Sequence, residues 1–263
     1  MTAAPPRVGP LLREWRNRRR LSQLELALAA DSSARHISFI ETGRSRPSRE
    51  MVLRLADQLD VPVRERNTLL IAAGYAPDFP ETSLQDPRLR ELRTDLERLV
   101  GAHEPFPALI LDGGYDVVAA NRGVRLMLSG VDPELLESPN AMRLTLHPRG
   151  MAPRIRNYSQ WRAHLLHQMQ RQLALTRSTP LRALYDEVEA YPPPRHCGAE
   201  LAPITAAPAL PLLLEIDGRT LAFISLIATF NTPTDITVSE LALETFLPAD
   251  PETTAFLTAQ QHS

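Results

Sequence analysis

Apolar residues recur every three or four positions through most of the first 76 residues, and this spacing predicts short amphipathic helices. The first helix opens near Pro10 and carries an apolar side beside a strongly basic one. Two further helices follow Ser48 and Pro62, and Gly74 ends the second of them. With two short helices between residues 22 and 42, the pattern predicts an all-α unit of five helices around one core.

The first of these two short helices is predicted to begin after Ser22. Ser22 and Glu25 have the spacing of a capping box, in which each side chain binds a backbone N–H of the other residue. Leu24, Ala27 and Leu28 follow at i, i+3 and i+4 spacing. We therefore expect these three side chains to share one face of the helix.

The second short helix is predicted to begin after Ser33. The run from Asp31 to Ser33 breaks the preceding helix and offers oxygens that cap the next one. Ile37 and Ile40 are expected to face the core, which leaves three side chains pointing outward: Arg35, His36 and Phe39. A large apolar side chain on a polar helix face needs a partner, and the thymine methyl group is one such partner.

Beyond a proline-rich stretch at residues 75–87 the pattern changes to short strands separated by helices. Two hairpins are predicted, each with an Asp-Gly turn: residues 108–111 with 115–120, and residues 212–216 with 220–230. Residues 236–247 are predicted to form one more strand, with a bulge near Ser239. Helices starting at Asn121, Asn157 and Thr179 lie between the strands. This order predicts an α+β domain with an antiparallel sheet and helices over one face. The helix predicted over residues 87–101 is compatible either with an element of that domain or with a dimer contact.

Charge separates the two halves of the 263-residue chain. Through Pro80 there are 13 Arg and 9 acidic residues, a net charge of +4, whereas the whole chain carries −2 and the remainder therefore −6. All 29 basic residues are Arg. A basic first unit followed by an acidic one is typical of a nucleic-acid binder whose second domain does not touch the phosphates. The chain shows no apolar leader and no run long enough to span a bilayer, so we expect a cytoplasmic protein.

The order of residues from Gln23 to Gly43 resembles the helix-turn-helix of the Cro/CI-type (XRE) regulators. The positions that carry the resemblance are Gln23, Ala27, Ile37, Ile40, Glu41 and Gly43, and Asp31 stands where that family usually has a turn glycine. The resemblance implies a DNA-binding domain over residues 8–76 and an ion pair between Arg16 and Glu41. It also implies double-stranded DNA as a partner, with these contact residues: Gln23, Ser33, Ala34, Arg35, His36, Phe39, Arg44 and Arg46.

After a linker at residues 77–87, the second domain, residues 88–258, resembles the MmyB-like ligand-binding domain. The stretches that carry this resemblance are ILDGGYDVVAANRG, MRLTLHPRG and the helix around Trp161. The resemblance implies a PAS-like fold that binds a small apolar ligand such as a fatty acid. The large apolar residues proposed for the pocket are Trp161, Leu165, Met169, Phe223, Leu226 and Phe230. The same residues would equally fill a packed core.

Motifs for enzyme chemistry are missing from the sequence. It contains no Gly-x-Ser-x-Gly elbow, His-Glu-x-x-His pair, P-loop or dinucleotide glycine fingerprint, so we expect neither a catalytic site nor a cofactor. His147, His164, His167, His196 and Cys197 do not have the spacing of a zinc motif, and we expect no metal site. The leading hypothesis is a homodimeric, ligand-sensing DNA-binding transcriptional regulator. The alternative keeps the DNA binding and makes the second domain only a dimerisation or protein-interaction module.

Overall fold

The chain divides into two compact units. The structure is a computed structural model that describes residues 7–176, 178–194 and 209–260. The first unit comprises the chain through Thr82 together with the segment Thr232–Ser239, and the second comprises residues 83–231 and the chain from Glu240 onward. The boundary after Thr82 lies inside the predicted linker, whereas the inclusion of residues 232–239 in the first unit was not expected.

The first unit is helical, as predicted. Through Ala72 its helices are α1 Val8–Arg18, α2 Gln23–Ala29, α3 Ala34–Glu41, α4 Arg49–Gln58 and α5 Val63–Ala72. One core of buried apolar side chains joins them, with Leu12, Ile37, Leu55 and Leu70 among its members. Side-chain hydroxyls start three of the helices, since those of Ser22, Ser33 and Ser48 each accept a backbone N–H three residues on. Local sequence signals therefore set the starts of α2, α3 and α4.

The orientation of α2 differs from the expectation. Leu24 and Leu28 are 59% and 73% exposed, whereas Leu26 and Ala27 are buried. The face expected to hold all three residues therefore does not pack inward as a whole, since only Ala27 of the three is buried. Apolar residues occur on both sides of this short helix, so its spacing alone does not decide which side meets the core.

Gly9 determines how closely α1 approaches the end of α3. A Cβ atom at this position would lie 2.5 Å from the carbonyl oxygen of Ile40 and 2.7 Å from that of Glu41. Backbone atoms cannot move aside as a flexible side chain can, so only glycine fits here without displacing a helix. The first turn of α1 thus packs directly against the carboxyl end of α3.

The second unit contains a five-stranded antiparallel sheet. Its strands are β1 Ala108–Leu111, β2 Val117–Ala120, β3 Leu212–Ile216, β4 Arg219–Thr229 and β5 Ala242–Pro248, in the spatial order β2-β1-β5-β4-β3. The long strand β4 pairs with β3 through its first half and with β5 through its second half. The predicted α+β class with an antiparallel sheet is confirmed.

Helices pack on both faces of this sheet, whereas the sequence predicted one covered face. The helices of the second half of the chain are α6 Arg90–Gly101, α7 Arg122–Met127, α8 Pro133–Glu137, α9 Ala141–Leu146, α10 Tyr158–Thr176, α11 Thr179–Glu189, α12 Ile236–Ser239 and α13 Pro251–Gln260. The main core lies between one sheet face and α7, α9, α10 and α11. On the opposite face, α6 buries Leu96 and Val100 against Ile110 and Leu241, so this helix is an element of the domain. In the described ranges, no helix combines the length and apolar character needed to cross a bilayer.

The two hairpins use different turns. Asp217 and Gly218 both adopt positive φ, 50° and 73°, and connect β3 to β4 directly, as an Asp-Gly type I′ turn requires. The β1–β2 connection runs from Asp112 to Asp116, and the Asp112 carboxylate accepts the N–H groups of Gly114 and Asp116. The prediction of a simple Asp-Gly turn at this position is therefore wrong, because the side chain of Asp112 organises a longer loop.

The stretch 236–247 is not one continuous strand. Asp235 accepts the N–H groups of Thr237 and Val238, which starts the short helix α12, and β5 begins only at Ala242. The same carboxylate accepts the N–H of Thr82, and the Ile236 N–H donates to the Pro80 carbonyl. These long-range hydrogen bonds place the segment in the first unit, and sequence periodicity carries no signal for them.

We predict that Gly9→Ala loosens the α1–α3 contact, because the added methyl group overlaps two carbonyl oxygens. Overpacking of this kind costs about 1–3 kcal/mol. Hydrogen exchange of the full chain, resolved by peptide, should show faster exchange in α1 and α3. The matched control is Gly101→Ala, because no atom lies within 4 Å of the point where its added methyl group would sit. Unchanged exchange in α1 and α3 of Gly9→Ala would show that the helices tolerate the methyl group.

Candidate DNA-binding surface and ligand cavity

The carboxylate of Glu41 joins the first three helices. Arg16 Nε donates to Glu41 Oε1 at 2.7 Å and Arg16 Nη2 donates to Oε2 at 3.0 Å, so the pair is bidentate. Gln23 Nε2 donates to the same Oε2 at 2.8 Å. The side chains of Arg16 and Glu41 are only 10% and 3% exposed, and the ion pair raises the pKa of Arg16. The expected pairing of Arg16 with Glu41 is confirmed, and Gln23 extends it to α2.

The outward face of α3 presents a cluster of cationic and aromatic side chains. Ile37 and Ile40 are buried as expected, Arg35 is exposed, and His36 and Phe39 are partly exposed. The guanidinium of Arg35 lies 5.2 Å from the centre of the Phe39 ring, and that of Arg44 lies 5.9 Å from it. Cation–π attraction to both guanidinium groups therefore stabilises this partly exposed aromatic ring.

Two other residues that were expected to contact DNA, Ser33 and Arg46, cap helices in the structure. Ser33 is exposed and caps α3, and the adjacent Ala34 is partly exposed at its first position. Arg46 donates to the carbonyl oxygens of Ala73 and Gly74 at 3.0 and 3.2 Å, so it caps the end of α5. Such contacts use only part of the five N–H groups of a guanidinium. The fixed geometry of Arg46 was not evident from the sequence.

A cavity of about 370 Å³ lies in the second unit between the sheet and its helices. This volume is within the range of small-molecule sites in proteins. Its walls are almost entirely apolar and come from β1, β2, β3, β5, α7, α8, α9 and α10, with connecting residues. The lining residues are Leu109, Val117, Ala120, Val124, Arg125, Met127, Leu128, Leu136, Pro139, Ala141, Met142, Leu144, Thr145, Met151, Trp161, Leu165, Leu212, Glu244 and Phe246.

The structure places the six residues proposed for the pocket in three different settings. Trp161 and Leu165 line the cavity. Met169 and Phe223 are fully buried in the surrounding core and do not reach its wall. Leu226 and Phe230 are 52% and 40% exposed and lie away from it.

The position of Leu226 follows from strand register. Leu226 pairs with Thr245, whereas the neighbouring residues Glu244 and Phe246 line the cavity. Since successive side chains of a strand point to opposite faces, Leu226 points away from the cavity. Phe230 follows the last residue of β4 and is not held against the core. Apolar residues on both faces of β4 concealed this difference in the sequence.

Buried asparagines fix three of the helices around the cavity. Asn121 precedes α7, and its amide oxygen accepts the N–H groups of Ala108 and Val124 while its nitrogen donates to two carbonyls. Asn140 caps α9 in a similar way, and Asn157, just before α10, binds the backbone of residues 211 and 213. These hydrogen bonds position the first turns of α7, α9 and α10, so the position of each helix does not depend only on apolar packing against its neighbours.

Two charged side chains that the sequence analysis did not identify also line the cavity. Arg125 on α7 is exposed, and no acidic partner is recorded for it among the described residues. Glu244 on β5 shares a hydrogen bond of 2.6 Å with the Ser225 hydroxyl, through Oε1. Burial raises the pKa of the Glu244 carboxyl, and the Ser225 hydrogen bond lowers it in part. Strand alternation along residues 242–248 places Glu244 on the same face as Phe246. The sequence did not reveal this, because the strand was predicted from residue 236 with a bulge near Ser239, which left the alternation after the bulge undefined.

The histidines considered for a metal site are separate from one another. His147 packs edge-on against Tyr191, and His164 lies 5.4 Å from Trp161. Burial lowers the pKa of His164, with smaller effects from the charges of Arg171 and His167. Among the described residues no group of three or more His, Cys, Asp or Glu is placed to hold a metal ion. His196 and Cys197 lie outside those residues.

A helix-turn-helix unit joined to a cavity-bearing α+β unit is the organisation of a DNA-binding regulator with a ligand-binding domain. Residues 12–66 match the helix-turn-helix family, and residues 92–259 match the family described as MmyB-like transcription regulator ligand binding domain. The second match covers more than half of the chain, so the protein belongs to the MmyB-like transcription regulator ligand binding domain family. No curated protein matches the chain.

We predict that Glu41→Gln destabilises the first unit by about 3 kcal/mol, because it leaves the buried guanidinium of Arg16 without its counter-charge. Urea unfolding of the full chain, followed by Trp15 fluorescence in a Trp161→Phe background, measures this loss.

The matched control is Glu81→Gln in the same unit. Glu81 also binds an arginine through both oxygens, at 2.7 and 3.0 Å from Arg64, but the two side chains are 55% and 42% exposed. An exposed pair contributes at most ~1 kcal/mol. Equal losses in the two variants would show that burial adds nothing to the Arg16–Glu41 pair.

Proposed function

We propose that the protein is a sequence-specific, homodimeric transcriptional regulator whose second domain senses a small apolar molecule such as a fatty acid. The observation that carries the sensing half is the cavity of about 370 Å³ with almost wholly apolar walls. Small-molecule sites are concave, mostly apolar and of this size, so the lining suits a small apolar ligand. Burying a methylene group in such a space gains about 0.8 kcal/mol.

DNA recognition is assigned to the outward face of α3. Arg35 is exposed near the start of this helix and has the geometry to bind guanine O6 and N7 through two N–H groups. Phe39, near the guanidinium groups of Arg35 and Arg44, offers an apolar surface to a thymine methyl group. Arg44 follows the helix, where it would add a phosphate contact. The other residues assigned to this surface are Gln23, Ser33, Ala34, His36 and Arg46.

Dimerisation follows from the small size of the DNA-binding unit. One helix of eight residues reads few base pairs, and two copies spaced by one DNA turn, ~34 Å, reach useful specificity. An apolar surface is available in the second unit, where Leu226 and Leu247 are 52% and 36% exposed. Both side chains point away from the cavity, because Leu247 pairs with Ile224 on the same face as Leu226. This patch also supports the alternative function, a pure dimerisation module, which needs no ligand.

The cavity strand β5 is close in sequence to a segment of the DNA-binding unit, which suggests how ligand binding could affect DNA binding. The segment Thr232–Ser239 belongs to the first unit, and β5, which carries the cavity residues Glu244 and Phe246, begins at Ala242. A ligand that shifts β5 would therefore pull on a segment bound to Thr82 through Asp235. Ligand binding changes DNA affinity only to the extent that it favours one arrangement of the protein over another.

We predict that Arg35→Ala weakens binding to a specific duplex at least tenfold while binding to a scrambled duplex changes much less. A bidentate base contact contributes roughly 1–3 kcal/mol of discrimination. The specific duplex is first selected from a random pool with the native protein, and it should contain two related half-sites. Fluorescence anisotropy at several salt concentrations then gives both affinities.

The comparison variant for this experiment is Arg44→Ala. A phosphate contact weakens all sequences alike and reduces the salt slope by about one unit. If Arg35→Ala behaves in the same way as Arg44→Ala, then Arg35 contacts phosphate and does not read a base. A selected site with a single half-site would contradict the dimer.

We predict that Ala120→Leu abolishes the binding of a medium-chain fatty acid, because the larger side chain fills part of the cavity. Titration calorimetry with decanoic acid should show saturable binding to the native protein and none to this variant. Ala228→Leu is the control, since Ala228 is exposed on β4 and does not line the cavity. If the native protein binds no apolar compound, the sensing function is wrong and the dimerisation module remains.

A further inference from the structure

Among the described residues, Glu244 is the one acidic side chain on the cavity wall. Its strand register fixes this placement, because Glu244 pairs with Leu109 on β1 and with Ile227 on β4, and Leu109 also lines the cavity. In the part of the chain that the structure describes, the recorded hydrogen-bond partner of the Glu244 carboxyl is the hydroxyl of Ser225, which binds Oε1. Ligand sites are mostly apolar, with a few placed polar groups that fix the orientation of the ligand, and Glu244 is such a group on this wall.

We propose that the cavity selects apolar molecules that carry a hydroxyl group, and that this hydroxyl binds Glu244. This inference rests on the ligand-sensing function proposed above and specifies its ligand class. A hydroxyl group both donates and accepts, so it satisfies the carboxyl whether that group is ionised or protonated. An ammonium group pairs only with the ionised form, and Arg125 on the cavity wall opposes a second cation.

The cavity also limits the size of the ligand. Its volume of about 370 Å³ is near the lower end of the range for small-molecule sites, about 300–1,000 Å³. Probes of about ten carbons with one polar group are therefore appropriate.

The titratable groups around Glu244 determine what a pH series would show. Burial raises the pKa of Tyr115 to about 12, and the charge of Glu244 contributes to that rise. Arg125 on α7 lines the cavity, and the charge of Arg171 on α10 offsets part of the rise in the Tyr115 pKa. His164, beside Trp161, titrates below its ordinary range because burial lowers its pKa. Glu244 is thus the cavity carboxyl that titrates, at a pKa raised by burial.

The test compares two isomers of equal size, 1-decanol and methyl nonyl ether, by titration calorimetry on the full chain. The alcohol donates a hydrogen bond and the ether does not. At pH values above the Glu244 pKa we expect the alcohol to bind at least about tenfold more tightly, which corresponds to ~1.4 kcal/mol. As the pH falls through the Glu244 pKa, the protonated carboxyl donates to the ether, so the ether should gain affinity while the alcohol changes little.

Two variants separate the role of the carboxyl from the shape of the cavity. Glu244→Leu should bind both isomers with similar affinity at every pH. Glu244→Gln can donate and accept at any pH, so it should bind both isomers without the pH dependence of the ether. A pH dependence that persists in Glu244→Gln would belong to another group, such as His164, and would overturn the assignment.

The outcomes distinguish this inference from the function on which it rests. If the native protein binds alcohol and ether equally at every pH of the series, the cavity binds apolar ligands and the role of Glu244 is wrong. If decylamine binds more tightly than decanol at pH 8, the ligand class is cationic and the hydroxyl assignment is overturned. If no probe binds the native protein, both the inference and the sensing function fail.

Discussion

The packing of α3 against α1 and α2 depends on one buried carboxylate. Glu41 ends α3 and receives three hydrogen bonds, two from Arg16 on α1 and one from Gln23 on α2. The net stabilisation from a buried ion pair is small, because desolvation offsets the attraction, but the loss of one partner is expensive. The network therefore specifies geometry more than it adds stability. Gly9 complements it, since its missing side chain lets α1 touch the last carbonyls of α3.

The cavity in the second unit exists because its helices are anchored by polar contacts at their ends. Asn121, Asn140 and Asn157 are each nearly inaccessible to solvent and hydrogen-bonded to the backbone of other segments. Helices held only by apolar packing would close on a void, since each unfilled volume costs contact energy. Helices held at their starts by hydrogen bonds can leave space between them and the sheet. Methionines at 127, 142 and 151 on the wall add side chains that adapt to different shapes.

Local features of both units could be predicted from the sequence, whereas long-range choices could not. The capping box of Ser22 and Glu25 and the Asp217-Gly218 turn involve neighbours in the chain, and both occur as expected. Helix α2 and strand β4 each carry apolar residues on two sides, and the spacing does not show which side meets the core. The exposure of Leu24 on α2 and of Leu226 on β4 therefore could not be predicted. The hydrogen bond between Thr82 and Asp235 joins residues 153 positions apart, for which no local pattern exists. At the candidate sites, the face of α3 was predictable because its polarity is one-sided, but only Trp161 and Leu165 of the six proposed pocket residues lie on the cavity wall.

Two inward-facing carboxylates, Glu41 and Glu244, show how the same group produces either rigidity or receptivity. Glu41 accepts hydrogen bonds from three donors on two other helices, so it fixes how α1, α2 and α3 pack together. Among the described residues, Glu244 accepts a hydrogen bond from the Ser225 hydroxyl, and the side chains around it on the cavity wall are almost all apolar. Burial raises the pKa of the Glu244 carboxyl, because apolar surroundings disfavour its charged form. The number of donors that meet a carboxyl group, and not its burial alone, therefore separates the structural role of Glu41 from the exposed chemistry of the cavity wall at Glu244.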